Sequence, residues 1–316
     1  LTWYLENVFY ETAGKMMHFF QKNIYDGELP KNQILNLGFW PGGDRDGNPF
    51  VTTDITLQVT QRLRTSILKC YYRDIRDLKR KLTFHQVDQL WTELEHKIYR
   101  SVFYSEGDLY ITLDEMKATL LDIRNRIIEN HQSLYLDDLD EFINKVNLFG
   151  FYFATLDIRQ NSKIHDKVIK DIVKVTNERQ LSVFPKDYSS LDESQKLDWM
   201  AKAAASLHPA WFEDELTRAI YAIQKIQEQN GEMGANRYII SNNQSALNVL
   251  ETYALFRLCG WENPSVDIVP LFETVEDLEN AQRVMQTLYT NPLYSEHLKS
   301  RNNKQTIMLG FSDGTK

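Results

Sequence analysis

The stretch Phe149-Gly150-Phe151-Tyr152-Phe153-Ala154-Thr155-Leu156-Asp157-Ile158-Arg159-Gln160 is a nearly continuous apolar run that stops on a carboxylate and a guanidinium. A run without polar alternation suits a strand covered on both faces, as in a parallel sheet packed by helices. We therefore read Phe149–Leu156 as a buried strand ending at Asp157 and Arg159. Four other runs have the same form. Asn36–Trp40 stops before Asp44-Arg45-Asp46, and Arg237–Ile240 stops at Ser241. Val266–Phe272 stops at Glu273, and Thr306–Phe311 at Ser312, Asp313 and Lys316. Where parallel strands close into a barrel, reactive groups collect at their carboxyl ends. Five strand ends then deliver acids and bases to one place, which packing alone does not require.

Between these runs the periodicity is helical. Residues 2–22 place Leu5, Val8, Phe9, Met16, Phe19 and Phe20 on one stripe. A longer helix begins at Thr53 as N-cap with Asp54 in its first turn. It continues through Ile55, Val59, Leu63, Ile67, Tyr71, Ile75, Leu78 and Leu82 at three- and four-residue steps. Further helices are predicted near 84–103, 112–130, 136–147, 163–177, 190–206, 210–229, 244–260, 275–290 and 293–300. Strands alternating with helical blocks predict right-handed crossovers and a parallel sheet. Two blocks exceed one helix, so the class is α/β, predominantly helical, with large helical insertions. Residues 181–190 read as a surface connection, and the chain reads as one domain over 1–316 with no internal boundary.

An apolar fraction of 42% supports a sizeable core. A net charge of −8 argues against a nucleic-acid surface, although local arginines still make a positive pocket for an anion. Cys70 and Cys259 lack CxxC spacing and read as reduced thiols of a cytoplasmic protein. No apolar stretch approaches the ~18 residues of a membrane span. The chain starts without Met and ends after a strand-like run, so it reads as a piece of something longer.

The segments that carry chemistry leave alternatives open. Trp40-Pro41-Gly42-Gly43-Asp44-Arg45-Asp46-Gly47-Asn48-Pro49 must turn sharply or approach something closely. It is not a phosphate-binding loop, because Asn48-Pro49 stands where Lys-Ser/Thr is needed, and it lacks the glycine and closing Glu of an EF-hand. Its charges either satisfy local backbone or serve a site. Asp157 and Arg159 share a face of an extended chain. They form a structural ion pair, or Arg159 is a fork for carboxylate or phosphate oriented by Asp157. Glu273 and Asp313 suit a hard divalent cation, or they serve as caps and loop hydrogen bonds. Thr274 is spaced from Asp277 as a helix cap. Lys316 offers a point charge to an oxyanion. Zinc hydrolysis and Ser or Cys acyl transfer rank low, since no matching histidine or nucleophile motif is present.

Taken in order, these segments resemble the phosphoenolpyruvate carboxylase family. The resemblance runs through Trp3-Tyr4-Leu5-Glu6-Asn7, the block from Trp40 to Pro49 with Val51-Thr52, and Leu156-Asp157-Ile158-Arg159-Gln160. It continues through Tyr238-Ile239-Ile240-Ser241, Pro270-Leu271-Phe272-Glu273-Thr274 with Asp277-Leu278 and Asn280-Ala281, and Met308-Leu309-Gly310-Phe311-Ser312-Asp313. It implies a partial (β/α)8 TIM-type barrel and Mg²⁺- or Mn²⁺-dependent carboxylation of phosphoenolpyruvate by bicarbonate. By position it implies Glu273 and Asp313 as metal ligands, Arg159 as a phosphate contact and Lys316 as the lysine of the site. Gly42, Gly43, Asp44, Arg45, Asp46 and Gly47 are expected to be structural or regulatory. Gly314-Thr315 departs from the family's usual Ser-Ala. The chain matches about the middle third of such an enzyme, without its upstream histidine segment or its later mobile loop, so these 316 residues alone are expected to be inactive, and metal to be absent from them. The whole protein is expected to be a cytoplasmic homotetramer that binds neither nucleic acid nor membrane. The alternatives are another Mg-dependent barrel lyase or phosphotransferase acting on an enolate, and a non-catalytic helical interaction module.

Overall fold

The computed structural model describes residues 1–30, 34–104, 110–181, 183–202 and 214–310. Its contacts group into two compact units, a division no composition shift announces. One comprises residues 1–38, 58–155 and 228–234, and the other residues 39–57, 156–227 and 235–316.

The first unit is built of helices. α1 (Thr2–Tyr4) passes through a π-helical turn (Leu5–Phe9) into α2 (Tyr10–Asn23). The short strand β1 (Gly38–Phe39) precedes α3 (Thr53–Lys81), whose first residues belong to the second unit. α4 (Asp88–Phe103), α5 (Leu113–Asn130) and α6 (Leu136–Phe149) complete it. α6 packs on α2 and α5. Its buried face holds an unusual cation: Lys145 lies 3.1 Å from Asp74 and 3.3 Å from both Glu11 and Glu141, with its ammonium over the Tyr10 ring. Gly14 makes room for it, since a Cβ there would meet the Lys145 stem at 2.3 Å. A buried charge persists only when paired and hydrogen-bonded in this way.

The second unit carries the sheet. β2 (Thr155–Asn161) leads into α7 (Ser162–Glu178), followed by α8 (Glu193–Lys202) and α9 (Glu215–Asn230). β3 (Arg237–Ser241), α10 (Ala246–Leu258), β4 (Asp267–Phe272), α11 (Val275–Thr290), α12 (Pro292–Ser300) and β5 (Met308–Leu309) follow. The strands lie in sequence order, β1-β2-β3-β4-β5, as a curled half of an α/β barrel. The ladders from β2 to β5 are parallel. Register places Arg159 beside Ile239 and Asn161 beside Ser241. No helix of the described residues is long and apolar enough to cross a membrane.

Two local readings are corrected. Phe149–Leu156 is not a strand: Phe149 ends α6, Gly150 and Phe153 take positive φ, and extended chain starts only at Thr155. Asp157 and Arg159 therefore sit inside β2. The strand tolerates them because each has an ionic partner, and that of Asp157 is its register neighbour Arg237 at 2.7 Å. The hydroxyl at the start of α3 belongs to Thr52 rather than Thr53, accepting from the Ile55 amide at 3.4 Å. Cys70 and Cys259 are free and buried, and burial pushes their thiols up to about 11 and about 12.

The outer face of β3 is fastened to α7 through a histidine. His165 Nδ1 meets the Asn161 carbonyl at 3.0 Å and Nε2 meets Tyr238 Oη at 2.9 Å. A carbonyl only accepts, so Nδ1 carries the proton and Tyr238 donates to Nε2. Burial pulls the ring down to about 4 from 6.5, and it does the same to His297. The unfolded chain then binds protons first as pH falls, so stability is lost between about 6.5 and about 4. We expect the urea midpoint to fall over that range, and to fall less in His165→Gln at matched conditions.

Candidate active site

Strand alternation sends Asp157, Arg159 and Asn161 to one face of β2. On the same sheet Ile239, Val269 and Leu271 form a buried apolar floor, with Met308 packed against it. Arg159 rises from beside this floor with its side chain only 17% exposed. Its Nη2 lies 2.8 Å from Asp46 Oδ2 and 3.4 Å from Glu273 Oε1, and Asp44 stands 3.8 Å from its Nε. The guanidinium also lies 5.8 Å from the Trp40 ring centre. No hydrogen bond to Nη1 is made by the described residues. Asp157 does not orient Arg159. Burial pushes the Asp157 carboxyl up, against the pull of Arg237 and Trp40.

The carboxylates that do hold Arg159 come from the glycine-rich turn, and backbone bonds explain how. The Arg159 amide donates to the Gly43 carbonyl at 3.0 Å, and the Arg45 amide donates to the Arg159 carbonyl at 2.9 Å. Residues 43–45 thus run beside β2 as a one-residue parallel bridge at Asp44. This closeness needs glycine at 43, where a Cβ would meet the Asp157 carbonyl oxygen at 2.0 Å. Gly42 and Gly47 instead supply positive φ for the turn, at 87° and 68°. Asp44 and Asp46 then face Arg159, while Arg45 turns to Thr56 on α3 at 2.7 Å. Thr56 in turn donates to the Gly42 carbonyl at 2.7 Å, tying the helix to the turn.

Asp46 is the best-supported of these acids. Asn161 Nδ2 donates to its Oδ1 at 3.2 Å while Arg159 holds Oδ2. Burial opposes ionisation, but the nearby Ser241 hydroxyl and the donors of Asn161 and Arg159 outweigh it and hold the carboxyl below the usual range. Asn161 is itself fixed, because its Oδ1 caps α7 at the Lys163 amide. Neither Asn161 nor the Asp46–Arg159 pairing was read from the sequence. The only available signal was that Asn161 lies two residues beyond Arg159 on the same strand face.

Glu273 follows β4 directly. The predicted cap is present: Thr274 and Asp277 form a capping box on α11, and the Glu273 amide joins it at 3.4 Å. Since those side chains satisfy the helix end, the Glu273 carboxyl is left for Arg159. Gly310 packs beside it, donating its amide to the Phe272 carbonyl at 2.9 Å, and a Cβ at 310 would meet Glu273 Cγ at 2.8 Å. Asp313 and Lys316 lie outside the described residues. Among the described residues no group of three or more His, Cys, Asp or Glu side chains could hold a metal ion. Glu273 alone still fits a cation that takes one or two protein carboxylates and completes its shell with water and substrate oxygens. The described cluster sets three carboxylates against one guanidinium, a formal excess of two negative charges.

Comparison with known proteins bears on the chain as a whole. The family described as Phosphoenolpyruvate carboxylase matches residues 2–102 and 89–316. A protein named phosphoenolpyruvate carboxylase from Nitrosomonas europaea is 30% identical over 90% of this chain and 36% of its own length. Proteins of the same name from Nitrosomonas eutropha and Parasynechococcus marenigrum are 28% and 27% identical over 90% and 99% of the chain. The chain spans 36% and 38% of those two relatives.

The close approach at Gly43 makes a measurable prediction. Gly43→Ala should displace the turn from β2 and cost about 1–3 kcal/mol of stability, the usual penalty of overpacking. An unchanged denaturant midpoint would show that the backbones have room to spare.

Proposed function

Because this chain belongs to the phosphoenolpyruvate carboxylase family, we propose that the protein containing it joins phosphoenolpyruvate and bicarbonate to give oxaloacetate and phosphate. The observation that carries this reading is the meeting of Arg159 with Glu273 at 3.4 Å, from two strands 114 residues apart. An anion-binding fork and a cation-binding carboxylate side by side suit a substrate whose phosphate must be held and neutralised together.

In this reading Arg159 offers Nη1 to a phosphate oxygen. Glu273, with Asp313, would hold Mg²⁺ or Mn²⁺, which supplies positive charge to the phosphate and enolate oxygens. A bicarbonate oxygen attacks phosphorus and the bond to the enol oxygen breaks, giving carboxyphosphate and the pyruvate enolate. Carboxyphosphate releases carbon dioxide and phosphate, and the enolate carbon captures the carbon dioxide as oxaloacetate. The apolar floor of Ile239, Val269, Leu271 and Met308 keeps water from competing for the enolate. Lys316 adds a point charge for a developing oxyanion. The glycine-rich turn from Gly42 to Gly47 acts through the shape and charge it presents to Arg159. By the same family reading the whole protein is a cytoplasmic homotetramer.

The excess negative charge of the described cluster means that it repels an anionic substrate until cations are added. Because the chain spans only 36% and 38% of two relatives it matches, residues 1–316 alone are expected to form no oxaloacetate above background even with Mg²⁺ or Mn²⁺. The full-length enzyme should form it only with Mg²⁺ or Mn²⁺ present. Arg159→Ala should lower kcat/KM by about 10²–10³, as loss of one positioned donor does. Pyruvate and a nucleoside triphosphate as products, in place of oxaloacetate, would assign the barrel to phosphoryl transfer instead.

A further inference from the structure

We propose that Asp46 is the positioning residue for Arg159, and that it is held in turn by Asn161 and the first turn of α7. This rests on the reading of Arg159 as the phosphate contact. The connection is continuous. The Lys163 amide holds Asn161 Oδ1 at 3.1 Å, Asn161 Nδ2 holds Asp46 Oδ1 at 3.2 Å, and Asp46 Oδ2 holds Arg159 Nη2 at 2.8 Å. Asn161 is pinned a second time where His165 donates to its carbonyl at 3.0 Å. The series of side-chain links starts from a backbone amide at the first turn of α7, so the guanidinium is tied through two side chains to a helix end.

The geometry separates Asp46 from the other acids around Arg159. Asp44 is 1.0 Å further from the guanidinium, at 3.8 Å against 2.8 Å. Glu273 reaches Nη2 at 3.4 Å, and no other side-chain donor among the described residues contacts its carboxylate, so that contact is free to be exchanged for a cation. Asp46 keeps Nη2 engaged when that exchange occurs and leaves Nη1 for an anion. Without Asp46, Glu273 would be the one side-chain hydrogen-bond partner left to the Arg159 guanidinium among the described residues, tying the phosphate contact to the carboxylate meant for the cation.

The test turns on sign. Asp46→Asn removes a negative charge beside an anion site, so through-space electrostatics alone would tighten phosphoenolpyruvate binding. Asn161→Asp adds a negative charge and would weaken it, while keeping an acceptor that caps α7. Loss of positioning moves both variants the same way. We expect KM for phosphoenolpyruvate to rise by about 10- to 100-fold in each, the scale of a misplaced binding group, with kcat changed less and thermal midpoints near the parent's. Affinity for inorganic phosphate, measured by calorimetry on the same full-length variants, should fall in both. A lower or unchanged KM and phosphate affinity in Asp46→Asn would overturn the proposal. If the parent enzyme forms no oxaloacetate, the functional reading fails, and the phosphate affinities still decide the role of Asp46.

Discussion

A guanidinium cannot leave water without partners, because its charge costs several kcal/mol to desolvate even after the surroundings relax. Arg159 meets that constraint inside a strand by gathering Asp44, Asp46 and Glu273 around itself. Much of the second unit's layout follows from this requirement. The turn at 40–49 must lie against β2 to deliver two aspartates, and β4 must end level with β2 to deliver a glutamate. Partners chosen for charge alone would neutralise the arginine. Here, among the described residues, they leave an excess of carboxylate and one guanidinium arm without a hydrogen-bond partner.

Backbone closeness makes the arrangement possible. The turn touches β2 through main-chain bonds on both sides of Asp44, and only glycine at 43 leaves space for the Asp157 carbonyl. Gly310 does the same for the side chain of Glu273. These glycines act by having no side chain, whereas Gly42 and Gly47 act by adopting positive φ. One short motif therefore uses glycine for two separate physical reasons.

The helical unit solves the same electrostatic problem with lysine. Lys145 is surrounded by Glu11, Asp74 and Glu141, and Gly14 clears space for its stem. In that case the charges are more nearly enclosed by packing: the ammonium sits over the Tyr10 ring, and Tyr10 donates to Asp74 at 2.8 Å. Such a cluster specifies how α2, α3 and α6 meet, because a shifted helix would strand a buried charge.

Local pattern settled most of the secondary structure from the sequence alone. Helix spans follow from three- and four-residue apolar steps, and the Thr274–Asp277 cap follows from its spacing, since both depend on neighbours within one or two turns. The parallel sheet was legible because buried strands need continuous apolar runs. The start of β2 was not, because Gly150 and Phe153 bend an apolar run that composition cannot distinguish from a strand. Partner choice was decided only in three dimensions. Asp157 lies two residues from Arg159 yet pairs with Arg237, and Arg159 takes its closest acid from Asp46, 113 residues away. Strand register and a glycine-dependent turn determine those distances, and neither leaves a mark in the residues flanking the charges.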